Sequence, residues 1–102
     1  AYGEKGGLDL KTMLDVVNVS TGQNFVTEHY FPRFALDGSF DSAGANHIIC
    51  KDLSLFIEEA EKEGSFNEVA KSMLKVIEAL ENTHPGGDQM LLYPFLRDEK
   101  TQ

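Results

Sequence analysis

Lys51 stands among apolar neighbours. It follows Ile48 by three residues and precedes Leu55 by four, so on a helix it shares a face with both. Asp52 follows at once. Two roles are open to such a lysine. Its stem can lie along apolar surface while the ammonium reaches water, or the ammonium can face a cleft and bind an anion or a polar ligand group. Cys50, one residue earlier, reads as a small buried hydrophobe rather than a nucleophile. None of the three histidines, His29, His47 and His84, lies four residues from another, and there is no HExxH pattern. Surface or capping roles are expected for them, and no metal, since a metal site would need carboxylates supplied by tertiary structure. GEKGG near the start is not GxGxxG, HPGG is not a Walker loop, and no GxSxG occurs. On its own residues the chain lacks the parts of a self-sufficient enzyme.

Lys51 belongs to the clearest helix in the sequence. From Ala45 to about Lys62 the apolar residues Ile49, Leu53, Phe56 and Ala60 recur at spacings of three and four, and Ile48, Leu55 and Ile57 widen the stripe. The acidic run Glu58, Glu59, Glu61, Glu63 continues to a Gly64 stop. Ser65-Phe66-Asn67-Glu68 fits a capping box, and Val69, Met73, Val76, Ile77 and Leu80 mark the next helix. His84-Pro85-Gly86-Gly87 ends it. Asp88 is expected to cap a last helix with Met90, Leu91, Phe95 and Leu96, which Pro94 should kink or split.

Upstream, Gly6-Gly7 looks like a helix stop, and Asp9 is a candidate N-cap for a helix from about Leu10 to Asn18. Ser20 and Gln23 match a capping box for a short helix with Phe25, Val26, His29 and Tyr30, which Pro32 should limit. Asp37-Gly38, Ser39, Asp41-Ser42 and Gly44 are turn residues. No segment alternates with period two over strand length. The expectation is all-α: about five unequal helices in a single domain over residues 1–102.

The chain's 102 residues suffice for one core. A single cysteine excludes an internal disulfide framework, and the apolar stretches are far too short for a membrane span. The net charge is −8, of which residues 1–51 carry −2 and residues 52–102 carry −6. Without a basic cluster, nucleic acid is not an expected partner, nor is a membrane. A cytoplasmic location is expected, with no signal peptide in AYGEKGG. Because the chain begins at Ala1, it is read either as processed or as a piece of something longer.

Several segments carry a family likeness. Lys51-Asp52-Leu53-Ser54-Leu55, followed by Ala60, resembles the KDLxLAxxxA helix of the 3-hydroxyisobutyrate dehydrogenase (β-hydroxyacid dehydrogenase) family. Gly7-Leu8-Asp9 is similar to its GLDP segment, and Asn18-Val19-Ser20-Thr21-Gly22 to its NxSSG turn. Pro32-Arg33 and Phe40-Asp41 fit its PRM…FD stretch. The likeness runs from Gly7 to about Ala60; beyond that the match is only of helices. The family's GVPLP segment is replaced by Gly64-Ser65-Phe66-Asn67.

The resemblance implies a C-terminal domain of the 6-phosphogluconate dehydrogenase-like helical fold. In such proteins an N-terminal Rossmann domain binds NAD or NADP, and a long connecting helix carries the catalytic lysine in a GxGxxxKxxN motif. Neither is present here, so no catalytic residue is expected in this chain. Lys51 takes the role of the KDL lysine, which reaches the nicotinamide cofactor, and adjacent Asp52 is expected to orient the site. Many members carry an aromatic residue seven before that lysine, lining the substrate pocket. Gly44 stands there instead, which implies a larger or different acid. The implied partners are the missing Rossmann domain, a small hydroxy acid substrate and further copies of the chain. A stand-alone helical interaction module, meeting a basic partner through Glu58, Glu59, Glu61 and Glu63, is the alternative. An imine- or aldehyde-reducing enzyme of the same architecture is a third reading.

Overall fold

The computed structural model describes residues 1–98. Its regular elements are all helical: α1 (Tyr2–Lys5), α2 (Leu10–Val17), a π-helix (Val26–Ala35), α3 (Asn46–Lys62), α4 (Glu68–Thr83), a 3₁₀ turn (Gln89–Leu91) and α5 (Leu92–Asp98). The all-α expectation holds. Among the described residues the only extended pairing is an isolated antiparallel bridge between Ala45 and Asp88. The chain divides into two compact units, one of Ala1–Ser42 with the segment from Met90 onward, the other of Ala43–Gln89.

In the first unit α1 stops at Gly6, and Gly7 takes φ +92°, a conformation that favours glycine. Asp9 caps α2 as expected: its Oδ2 accepts from the Thr12 N–H and hydroxyl, both at 3.0 Å. The expected Ser20–Gln23 capping box does not form. The Ser20 hydroxyl donates back to the Val16 carbonyl at 2.6 Å, and Gln23 donates to Glu28. Asn24 and Thr27 form the reciprocal box instead. The Thr27 N–H donates to Asn24 Oδ1 and the Asn24 N–H to Thr27 Oγ1, each at 3.0 Å.

Pro32 does not limit the helix that follows. That helix runs through it to Ala35 with a wider turn, in which the Leu36 N–H reaches the Phe31 carbonyl five residues back at 2.9 Å. In this register the missing Pro32 N–H would have met the Thr27 carbonyl, and the Asn18 carboxamide donates to that oxygen at 3.0 Å. In α5 Tyr93 is buried, with Phe31 edge-on at 5.4 Å between ring centroids. Arg97 lies 5.7 Å from the Tyr93 ring and ties α5 to α1 through Glu4 at 3.3 Å. The expected last helix is divided where the 3₁₀ turn gives way to α5, two residues ahead of Pro94, and within α5 the helix runs on through Pro94. Pro94 is the third residue, in the first turn, where no N–H is owed to the ladder. Asp88 stands opposite Ala45, directly before the 3₁₀ turn that leads into α5.

The second unit is an α3–α4 hairpin that turns at Gly64, where φ is +65°. Its core is narrow: Ala60 on α3 and Ile77 and Leu80 on α4 are buried, with Ile49, Leu53 and Ile57 partly so. Leu80 is fully enclosed, and its burial contributes about 1.5–3 kcal/mol. The expected Ser65–Glu68 capping box gives way to a different contact. Asn67, 6 % exposed, turns its Nδ2 inward to Glu61 Oε2 at 2.7 Å and to the Ile57 carbonyl at 3.4 Å. Much of the expected apolar stripe looks outward. Ile48, Leu55 and Phe56 on α3, and Val69, Met73 and Val76 on α4, all remain substantially exposed.

Candidate functional site

α3 is the element equipped to meet a ligand. Seventeen residues long, it begins at Asn46 without a side-chain cap. Asn46 is 1 % exposed and holds the helix start against α4. Its Nδ2 donates to the Ile77 carbonyl at 3.0 Å and to Glu81 Oε2 at 3.3 Å. The other Glu81 oxygen accepts the Gly86 N–H at 2.9 Å. That N–H is the main reason the Glu81 carboxyl sits below its ordinary range; the Asn46 amide and the charge of His47 add to it, against partial desolvation. The backbone closes the same junction: the Asn46 N–H donates to Gly87 at 2.9 Å and the Gln89 N–H to Gly44 at 2.7 Å. The residues after α4 thus supply what a capping side chain would have supplied.

Sequence reasoning missed Asn46, Glu81 and Gly86. One signal was available: Asn46 is a polar residue in line with Ile49, Leu53, Ile57 and Ala60, and a polar residue on a buried face needs partners.

Lys51 lies in the second turn of α3 and is exposed. Among the described residues its ammonium makes no ion pair or hydrogen bond, and the Asp52 carboxylate beside it makes none either. Ile48 and Leu55 share its face at 45 % and 53 % exposure, so that face looks outward. His47, one turn earlier, is also exposed. An exposed ammonium between apolar residues can donate to phosphate, ribose or amide oxygens.

The other chemistry-bearing residues are not brought together. Cys50 is half-buried, and burial first, then Glu81 and Glu78, pushes its thiol up, away from the reactive thiolate. His29 packs against Phe25 at 4.5 Å between ring centroids. No group of three His, Cys, Asp or Glu among the described residues could hold a metal ion. The acidic run is internally engaged: Lys62 meets Glu59 at 2.9 Å and Glu58 at 3.6 Å, while Glu61 meets Asn67 and Lys71. Lys51 lines neither the open groove of about 480 Å³ beside Ile57 and Lys71 nor the first unit's cavity of about 290 Å³ beside Phe40 and Tyr93.

The chain presents the exposed Lys51 and Asp52 on a long helix. It belongs to the NAD-binding family of NADP-dependent 3-hydroxyisobutyrate dehydrogenase, whose model matches residues 1–95. The expected family and dehydrogenase context are therefore met, and NAD(P) is the cofactor of that family. No curated protein matches the chain. Among the described residues no helix is long and apolar enough to cross a membrane.

Proposed function

We propose that this chain is the C-terminal helical domain of an NAD(P)-dependent 3-hydroxy acid dehydrogenase, and that Lys51 is its contribution to the cofactor site. The observation that supports this most is an uncommitted ammonium on an exposed, partly apolar helix face, in a chain of an NAD-binding family. When bound, the nicotinamide supplies the hydride chemistry. The part played by this chain is to bind and to exclude water. The Lys51 ammonium donates to oxygens of the cofactor, while Ile48 and Leu55 beside it cover apolar surface. Asp52, the next residue, orients the site through its charge, without a direct bond to Lys51. The catalytic lysine and the phosphate-binding loop belong to the N-terminal Rossmann half, which is the chain's first partner. A small hydroxy acid or its aldehyde is the substrate class.

Self-association and a cytoplasmic location are parts of the same proposal. Exposed Met73 and Val69 supply apolar surface that a second copy can cover. The ion pairs within the acidic run weigh against a stand-alone module that uses those glutamates on a basic partner.

The test is to assay the complete gene product and the 102-residue chain side by side for nicotinamide reduction with small 3-hydroxy acids. Turnover by the complete product and none by the chain alone is expected. A complete product that reduces neither NAD nor NADP with any such acid contradicts the proposal.

A further inference from the structure

The first turns of α4 carry an open apolar row with charges set beside it. Val69, Met73 and Val76 follow one another at spacings of four and three, so they share one stripe of the helix. They are 64 %, 50 % and 38 % exposed. One turn further on, Leu80 is fully enclosed, so the row is open only toward the start of α4. Ser72 and Ala79, small and exposed, border it and let another helix approach closely. Along the same border stand Glu68 and Lys75, both exposed and opposite in charge. Seven residues apart, they lie about 20° from each other around the helix and about 10.5 Å along it. Among the described residues Lys75 makes no ion pair or hydrogen bond, and Glu68 makes one, the exposed pair with Lys71 at 3.5 Å.

Such a border is complementary to itself. Let two copies of α4 run antiparallel about a two-fold axis level with Lys71. Glu68 of each copy then meets Lys75 of the other, and Val69 of each meets Met73 of the other. The net charge of −8 makes two copies repel at long range. Contact between them therefore needs opposite charges set locally, and this border supplies two such pairs.

We propose that the start of α4 is a homotypic interface, in which a second copy of this chain packs antiparallel on Val69, Met73 and Val76 and the Glu68–Lys75 pairs fix the register. This rests on the reading that the chain self-associates and gives that association a site.

The experiment is a charge swap in the complete gene product, read as a dissociation constant by analytical ultracentrifugation at low salt. Glu68→Lys presents two lysines along the border and Lys75→Glu presents two glutamates. Each variant alone is expected to associate about tenfold more weakly, because two attractive pairs become repulsive. An equimolar mixture of the two is expected to recover wild-type affinity. So is the double variant Glu68→Lys with Lys75→Glu, whose net charge is that of the wild type. A mixture no tighter than the single variants overturns the proposal, since mixing cannot repair a folding defect. Single variants that associate as tightly as wild type also overturn it and leave self-association to another face. Wild-type protein that stays monomeric at every concentration sinks the self-association reading as well.

Discussion

Asn18 completes the hydrogen bond that Pro32 cannot make. In the π-helical register the carbonyl of Thr27 is owed the N–H of residue 32, and the Asn18 carboxamide takes its place at 3.0 Å. Asn18 also ends α2, so one side chain joins α2 to the π-helix.

This pairing predicts a non-additive mutant cycle. Asn18→Ala leaves the Thr27 carbonyl without a donor and should cost about 1–3 kcal/mol in urea unfolding. Pro32→Ala restores a backbone N–H at the same oxygen, so Asn18→Ala should cost much less in that background. Equal costs in both backgrounds would show that the two residues do not share this carbonyl.

Asn67 separates capping from cross-linking. Serine is as good a cap as asparagine, so a capping role predicts that Asn67→Ser is neutral. The inward bonds to Glu61 and Ile57 predict instead a loss of about 1–2 kcal/mol, because serine is too short to span to α3. Thermal unfolding of the variant decides between them.

These two asparagines show where sequence reading stops. The α3–α4 hairpin was legible because apolar residues recur at helical spacing and Gly64 marks the turn. The π-helix was not legible: Pro32 reads as a stop to anyone counting α-helical bonds, and its rescue comes from Asn18, fourteen residues upstream. Asn67 followed by Glu68 looks like a helix start in sequence, and only the partner helix shows that its side chain points inward. Periodicity identified Val69, Met73 and Val76 as apolar, but it cannot tell a covered face from an open one. That Lys51 shares a helix face with Ile48 and Leu55 was legible from their spacing. The Asn46–Glu81–Gly86 junction was not, because its members lie at opposite ends of the hairpin.

That junction sets an acid limit on stability. Glu81 is depressed from its ordinary value of 4.5 by the Gly86 N–H first, then by Asn46 and His47. A carboxyl depressed in the folded state contributes stability above its unfolded value and loses it as pH falls through the folded value. Asp9, Glu61 and Asp98 are depressed in the same direction. The urea midpoint should therefore be level from neutrality to about pH 5 and then fall. Glu81→Gln should lower the neutral plateau and flatten part of the fall; a decline as steep as wild type would rule out Glu81 as a contributor.

The central claim is that the Lys51 ammonium binds the nicotinamide cofactor. Lys51→Met tests it most directly, because methionine keeps an apolar stem and removes only the charge and its donors. Fluorescence titration of the full-length variant with NADH and NADPH gives the affinity, and a melting curve gives the stability. Weaker binding of the nucleotide the wild type prefers, by about tenfold or more, at unchanged Tm is predicted. Unchanged affinity would contradict the account and leave Lys51 as a surface lysine whose stem lies along apolar neighbours.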